Sequence, residues 1–212
     1  DLHSFPTRRS SDLVVEPELR LPFEDNQSWA YTGGPHAAWG SSQPYAALDF
    51  APPSSKTGCT PSDLWVVAPA DGTVVRTATG LVILDLDGDG SERTGWNLLF
   101  LHLLTTSIPP IGTVVKTGDY LGHPSCDGGR STGTHVHIAR KYNGEWVSAG
   151  GILPFTLDGW HAEYGIGPYV GYLKRHSAIV IANSSADVSS LIHRGPAYVP
   201  TQTPTPKPRS TR

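Results

Sequence analysis

The sequence contains no methionine, and it lacks both a long apolar run and a cluster of basic residues. Its longest apolar stretch, residues 98–104, is interrupted by His102 and is far too short to span a bilayer. The formal net charge of −3, without any lysine- or arginine-rich block, argues against nucleic-acid binding. We therefore expect neither a transmembrane segment nor a nucleic-acid partner. The missing methionine predicts that the chain is a fragment or a processed form.

Both ends of the chain differ in composition from the sequence between them. The opening DLHSFPTRRSSDL (residues 1–13) has no apolar core of a signal peptide and resembles translated sequencing-adapter sequence, so we expect an artefactual leader. Residues 196–212 are rich in proline and threonine, which is typical of a linker or tail. We expect the folded domain to occupy residues 14–195.

Helical periodicity is also scarce, since no window longer than a dozen residues shows a period of 3.6. Glycine (23) and proline (19) are frequent instead, and short apolar runs alternate with turn signals. The stretch DLWVVAPADGTVVRTATG predicts a strand, a turn at Asp71-Gly72 and a second strand, and GTVVKTGDYLG repeats this pattern. LVILDLDGDGSERTGWNLLFLHL predicts a hairpin, and THVHIARKYNGEWV predicts another with Asn143-Gly144 at its tip. The predicted fold class is all-β, mainly antiparallel sheets and hairpins.

Several histidines occur in patterns that suit metal binding. GTHVHIA places His135 and His137 two residues apart in a run typical of a strand, so both imidazoles should face the same space. Upstream, His36 and Asp49 flank a loop rich in glycine, serine and proline, and His102 lies in the apolar run LLFLHL. A histidine and an aspartate brought together by a loop, plus a strand histidine, make a plausible three-ligand set for zinc, although other divalent metals accept the same ligands.

Each of these residues also has an ordinary structural interpretation. Taken alone, His36 would be a surface residue, His102 a core histidine and Asp49 a turn or capping residue. Their occurrence together in one β framework favours a metal site. The remaining histidines of the domain match no motif and are predicted to be surface or core residues: His123, His161, His176 and His193.

Three motifs, GPHAAWGSSQPYAALDF, LFLHL and TGTHVHIA, with APADGTVV and GTVVKTGDYLG between them, resemble those of the lysostaphin/staphylolysin-type (LytM-type) zinc metallopeptidases. Members of this family cut peptide bonds in bacterial peptidoglycan. The resemblance covers roughly residues 30–150 and implies a β-sandwich-like core with long loops around an active-site groove. It also implies one zinc ion per chain, with His36, Asp49 and His137 as its ligands.

The same resemblance leaves His102 and His135 unligated beside the metal. Zinc activates a water molecule and polarises the scissile carbonyl, but the attack also needs a group that moves a proton. We expect His135 to be the general base and His102 its helper, able to stabilise the oxyanion, although the residue types alone do not separate these roles. In this family a tyrosine beyond the H-x-H often stabilises the transition state, and Tyr164 and Tyr169 are both candidates.

These features predict a bacterial zinc endopeptidase, secreted or in the cell envelope, that hydrolyses peptide bonds in peptidoglycan stems or cross-bridges. Its predicted partner is the peptidoglycan peptide, and a monomer is expected. Two alternatives stay open. One is a catalytically silent LytM-type module that activates another wall hydrolase, although such modules typically lack some metal ligands and this chain keeps all three. The other is a zinc peptidase that acts on glycine-rich peptides outside the wall.

The chain has only two cysteines, Cys59 and Cys126, and they do not form a C-x-x-C motif. In a protein that acts on cell walls, an even pair is consistent with one disulfide, which would join two loops at the mouth of the cleft. Two free buried thiols are the alternative.

The segment DLDGDGSER (residues 85–93) matches the opening of an EF-hand calcium loop, D-x-D-x-D-G, with Asp85, Asp87, Asp89 and Gly90. The EF-hand motif requires glutamate at its twelfth position, which here is Trp96, and it lies between helices rather than strands. A polar hairpin turn is the preferred interpretation, and weak calcium binding stays open.

Overall fold

The computed structural model describes residues 14–54 and 56–196. The predicted leader, residues 1–13, and all but the first residue of the predicted tail lie outside the described residues. Short strands account for nearly all of the regular structure, together with two 3-10 turns at Thr105–Ser107 and Val188–Ser190. The strands of the described part are β1 (Ser28–His36), β2 (Ala47–Ala51), β3 (Val66–Val67), β4 (Gly72–Ala78), β5 (Leu81–Asp85), β6 (Trp96–Leu101), β7 (Val114–Val115), β8 (Tyr120–Gly122), β9 (Val136–Tyr142), β10 (Glu145–Trp146), β11 (Thr156–Leu157), β12 (Trp160–Tyr164), β13 (Gly171–Arg175), β14 (Ala178–Ile181) and β15 (Leu191–His193).

One large sheet forms the frame of the domain. Its strand order is β15-β1-β2-β9-β6-β5-β4-β7, and β10 pairs with β9 beside this path. The strands from β11 to β14 form a second sheet in chain order, and β3 pairs with β8. All of these pairings are antiparallel, which confirms the fold class predicted from the sequence. Within the described residues, no helix is long and apolar enough to cross a membrane.

Both predicted hairpins are present. β5 and β6 pair across the turn that is rich in aspartate and glycine, and β9 and β10 pair across Asn143-Gly144. Asn143 and Gly144 have φ values of 50° and 81°, as a type I′ turn requires. Two strands also flank Asp71-Gly72, but they pair with different partners: β3 joins β8, whereas β4 joins β5 and β7. A local strand-turn-strand pattern does not reveal such long-range partners.

The two faces of the large sheet are packed differently. On β9, Val136 and Ile138 belong to the main apolar core, whereas Ala139 belongs to a smaller cluster. Because successive side chains of a strand point to opposite faces, His137 lies on the same side as Ala139. On the neighbouring strand β2, Ala47 also belongs to the smaller cluster. These small side chains leave room for polar groups on this face, and the candidate site lies there.

Candidate metal centre

The candidate ligands project from three neighbouring strands of the large sheet. Asp49 of β2 lies directly opposite His137 of β9, and Gly33 of β1 lies opposite Asp49 on its other side. His36 is the last residue of β1 and brings its imidazole to the same point. All three side chains are buried, with exposed fractions of 1% for His36 and 6% for Asp49 and His137.

Three donor atoms form a small triangle. His36 Nε2 lies 2.9 Å from His137 Nδ1 and 3.2 Å from Asp49 Oδ1, and His137 Nδ1 lies 3.1 Å from that oxygen. Ligand atoms bound at about 2.0–2.1 Å to a tetrahedral zinc ion are roughly 3.3 Å apart. The triangle therefore has the size of three of the four positions around zinc.

Backbone carbonyls orient both ligand imidazoles. His36 Nδ1 donates to the carbonyl of Gly34 at 2.8 Å, and His137 Nε2 donates to the carbonyl of Ala38 at 3.2 Å. These hydrogen bonds assign the ring protons, so each ring turns the lone pair of its other nitrogen towards Asp49. Two lone pairs and a carboxylate that face one buried point repel each other unless a cation lies between them. The donor set therefore fits a metal ion, and the carbonyls supply the outer hydrogen bonds that ligand histidines usually make.

The ionisation of these groups agrees with metal binding. Burial opposes the charge on Asp49, but its interactions with His36 and His137 outweigh burial and hold its pKa well below the usual range. Asp49 is therefore a carboxylate, the form that binds metals. Burial lowers the pKa of His137 and keeps it neutral. Burial also acts to lower the pKa of His36, but the adjacent Asp49 outweighs this effect and raises it.

Two further imidazoles lie beside the triangle. His135 immediately precedes β9, donates from Nδ1 to the carbonyl of Gly133 at 2.8 Å, and places Nε2 3.7 Å from Asp49 Oδ1. His102 follows β6 with a φ of 67° and donates from Nδ1 to the carbonyl of Asp127 at 3.0 Å. The centroids of the His102 and His135 rings are 4.6 Å apart. Both rings thus keep Nε2 free, and both histidines of THVH face the same space.

The loop that orients His102 is itself held at several points. The Asp127 carboxylate accepts hydrogen bonds from Thr105 N at 2.9 Å and from Thr105 Oγ1 at 2.6 Å. Its neighbour Cys126 forms a disulfide with Cys59, and the two Cα atoms are 5.4 Å apart. Burial, together with the neighbouring His135, lowers the pKa of His102 to about 4, so this imidazole is neutral near neutral pH.

The Cys59 loop also contacts the segment that leads into His135. Thr134 donates from its backbone N–H to the Gly58 carbonyl at 3.0 Å and from Oγ1 to the Thr60 carbonyl at 2.6 Å. The disulfide therefore connects the loops that position both unligated histidines.

The two candidate tyrosines occupy different places. Tyr169 stacks on His36, with ring centroids 4.1 Å apart. The ring of Tyr164 lies over Gly150, where an added Cβ would stand 2.8 Å from ring atoms. Of these two tyrosines, Tyr169 is therefore the one that contacts a candidate ligand.

Two contributors to the site were not identified from the sequence. A Cβ on Gly33 would stand 2.5 Å from Asp49 Oδ2, so only glycine leaves room for the carboxylate. The side chain of Asp127 supports His102 through its own loop. Neither residue belongs to a ligand motif, although the position of Asp127 next to a cysteine was a weak signal.

No protein-family model matches the sequence. Among curated proteins, the chain is 29% identical over 154 residues to Protease LasA of Pseudomonas aeruginosa, covering 69% of this chain and 35% of that protein. It is 28% identical over 153 residues to the Beta-lytic metalloendopeptidase of Achromobacter lyticus, covering 68% of this chain and 38% of that protein. The chain thus spans 35% to 38% of the length of these two relatives.

Among solved structures, the fold is similar to that of Pseudoalterin, described as an M23 metalloprotease from the deep sea. The TM-score is 0.65 at 25% sequence identity, and the match covers 79% of this chain and 96% of that one. The fold thus matches that of a metalloprotease, and the buried triangle of His36, Asp49 and His137 could hold a metal ion. In sequence and in fold the chain is thus similar to two bacterial peptidases and to an M23 metalloprotease, in line with the resemblance of its motifs to the lysostaphin/staphylolysin-type (LytM-type) zinc metallopeptidases.

Proposed function

We propose that this protein is a zinc endopeptidase that hydrolyses peptide bonds in the stems or cross-bridges of bacterial peptidoglycan. We further propose that it acts as a monomer, outside the cell or in the cell envelope. The observation that carries the proposal is the convergence of donor atoms from His36, Asp49 and His137 within 3.2 Å of one another, with a free His135 nitrogen 3.7 Å from Asp49 Oδ1. The name of one relative, a beta-lytic metalloendopeptidase, supports the choice of a lytic reaction.

One zinc ion per chain would be held by His36, Asp49 and His137. Two imidazole nitrogens and a carboxylate oxygen are the ligands of many catalytic zinc sites, which keep a further position for water. When bound, zinc supplies Lewis-acid activation of water and polarises the carbonyl of the scissile peptide. The side chains around the triangle would carry out the proton transfers and stabilise the oxyanion.

His135 is proposed as the general base. Its Nδ1 donates to the Gly133 carbonyl, so the neutral ring keeps the lone pair of Nε2 for accepting a proton. Nε2 also lies beside the ligand triangle, where it can take the proton of the attacking water and then deliver it to the departing amine. The hydrogen bond to Gly133 fixes the ring and stabilises the imidazolium that forms between these two transfers.

His102 and Tyr169 are proposed to assist. His102 contacts His135, and its free Nε2 can accept a hydrogen bond that orients the water, becoming an oxyanion donor only when protonated. Tyr169 is preferred to Tyr164 because it stacks on the ligand His36, which places its side chain at the edge of the cleft. Its hydroxyl would donate to the oxyanion of the tetrahedral intermediate.

The test measures metal content and wall lysis on the same preparations of the wild type, His137→Ala and His135→Ala. We expect about one zinc ion per chain in the wild type, loss of both zinc and lysis in His137→Ala, and retained zinc with lysis reduced about 10²–10⁴-fold in His135→Ala. His161→Ala is the matched control, since the His161 side chain is exposed and hydrogen-bonds to Thr156, far from the triangle in sequence. Its zinc content and lysis should equal those of the wild type.

Two outcomes would favour the alternatives. Wild-type protein that binds zinc but stimulates another wall hydrolase equally well with and without His135→Ala would be a silent module. Cleavage of defined Gly-Gly peptides without lysis of purified wall would place the substrate outside the wall. Wild type without zinc would contradict the metal centre itself.

A further inference from the structure

The turn between β5 and β6 carries a second group of oxygen ligands, separate from the zinc centre. Asp85, Asp87 and Asp89 offer carboxylate oxygens that all lie within 4.8 Å of one another. Asp85 is fully buried, whereas the other two side chains are exposed. This is the segment whose D-x-D-x-D-G pattern matches a calcium loop but lacks the expected glutamate.

Asn97 provides an independent indication of a ligand. It lies directly opposite Asp85 in the β5–β6 pair, and opposite residues of antiparallel strands project to the same side. Asn97 is fully buried, and its Nδ2 donates to the carbonyls of Ser91 and Thr94 at 3.4 and 2.9 Å. Because only the amide nitrogen can donate to a carbonyl, these two hydrogen bonds establish which atom of the Asn97 amide is Nδ2. They also hold the amide group inside the turn. The remaining atom, Oδ1, is buried there without a hydrogen-bond partner.

A buried amide oxygen without a hydrogen-bond partner is unfavourable, and native proteins rarely keep one unless a water molecule or an ion interacts with it. The residue directly opposite Asn97 is Asp85, whose ionised carboxylate offers no proton to Asn97 Oδ1. A cation would satisfy the amide oxygen and the carboxylates at the same time.

The carboxylates of the turn also lack a counter-charge from the protein. The nearby basic residues Arg76 and Lys141 both contact Glu92, at 2.7 and 3.0 Å. In the described part of the chain, no lysine, arginine or histidine forms an ion pair with the three aspartates. Contact with Asp85 raises the pKa of Asp87, as expected for crowded carboxylates.

We propose that Asp85, Asp87, Asp89 and Asn97 Oδ1 form a calcium site. All four ligands are hard oxygen donors, a set without nitrogen or sulfur that suits calcium better than zinc, and calcium takes six to eight such ligands with water or backbone carbonyls completing the set. Asn97 supplies, from the following strand, the distal ligand that the EF-hand pattern takes from glutamate. The ion joins the end of β5 to the start of β6.

The site has a consequence for the zinc centre. β6 runs from Trp96 to Leu101 and leads directly into His102. A calcium ion that fixes the start of this strand would restrain the hairpin that carries His102. The assignment of calcium does not depend on the proposed peptidase activity, since binding and thermal unfolding report it without any substrate.

Calcium binding is tested by titration calorimetry and thermal unfolding of the full chain, dialysed into calcium-free buffer that contains trace zinc. We expect one binding event per chain with a Kd on the order of 10⁻⁴–10⁻³ M, as in extracellular calcium modules. Calcium at about one hundred times Kd should raise Tm by about 5–10 °C. Asp87→Asn and Asp89→Asn should each weaken binding at least about tenfold. Asp63→Asn, the same change at an exposed aspartate outside the turn, should behave as the wild type.

Several results would overturn the proposal. These are the absence of both binding heat and a Tm shift in the wild type, equal calcium affinity in Asp87→Asn, Asp89→Asn and wild type, or a Tm shift that magnesium reproduces in full. The two variants alter exposed side chains, so the test stands even where replacement of the buried Asp85 prevents folding.

Discussion

Tyr169 and His36 stack face to face, with ring planes inclined by 20°. Their backbones are joined as well: Gly34 N–H donates to the Tyr169 carbonyl at 2.9 Å, and Tyr169 N–H donates to the Pro35 carbonyl at 3.2 Å. The segment between β12 and β13 is thereby attached to the end of β1, where the proposed ligand His36 lies. A change in this segment should therefore affect the metal centre through His36.

Two substitutions of Tyr169 separate the role of its ring from that of its hydroxyl. Tyr169→Phe keeps the stacking, so we expect full zinc content with kcat lowered about 10²-fold, the usual effect of losing an oxyanion donor. Tyr169→Ala also frees His36 and should weaken zinc about tenfold in a competition assay with a chelator. Tyr164→Phe is the control and should change neither quantity. A loss of kcat in Tyr164→Phe but not in Tyr169→Phe would reverse the assignment.

Glycine at position 33 is required by the packing of the ligand strands. Because an added Cβ would stand 2.5 Å from Asp49 Oδ2, Gly33→Ala must displace the carboxylate. We expect zinc affinity to fall by about 10–100-fold while the β-rich circular dichroism spectrum is retained. Gly167→Ala serves as the control, since nothing lies within 4 Å of the added atom there. Unchanged zinc affinity in Gly33→Ala would show that Asp49 is not a ligand.

The features that could be predicted from the sequence are those with local causes. Strand alternation places His135 and His137 on one face, and turn chemistry predicts the Asn143-Gly144 hairpin. The pairing of Asp49 with His137, 88 residues apart, is not a local property. It was inferred from the order of the family's motifs, and the ligand roles themselves stay predictions.

Other parts of the site do not depend on residue type, so they cannot be predicted from the sequence. The carbonyls of Gly34, Ala38 and Gly133 orient imidazoles, and any residue could supply them. The orphaned oxygen of Asn97 likewise depends on the register of β5 against β6, which places it opposite Asp85. Such features become visible only when the strands are paired. The EF-hand motif expects glutamate at its twelfth position, so it does not identify Asn97 as a ligand.

The disulfide should matter more for catalysis than for metal binding. It connects the loops that position His102 and His135, whereas the proposed zinc ligands lie on the strands of the large sheet. We expect the double variant Cys59→Ser/Cys126→Ser to retain zinc, to lose about 2–4 kcal/mol of stability and to show a lower kcat. Zinc analysis, denaturant unfolding and lysis of the same sample test this. A variant that loses zinc in proportion to its activity would contradict the separation.

A buried ion pair connects the start of the domain to the large sheet. Arg140 of β9 is fully buried and contacts the Glu16 carboxylate, and it also donates to the carbonyls of Ser148 at 2.8 Å and Leu153. Burial raises the pKa of Glu16 and lowers that of Arg140, in each case against their mutual attraction. Removing these two charges from water therefore costs a large desolvation free energy. Their mutual attraction offsets this cost only while both partners are present.

Glu16→Ala should destabilise the domain strongly, because it leaves the Arg140 charge buried without its partner. We expect a loss of about 3–5 kcal/mol in urea unfolding, against no more than about 0.5 kcal/mol for Glu18→Ala, whose side chain is exposed. Deletion of residues 1–13 should leave the unfolding midpoint unchanged, since the predicted domain begins at residue 14 and Glu16 stays in place. A deletion as harmful as Glu16→Ala would mean that the domain begins earlier than its sequence suggests.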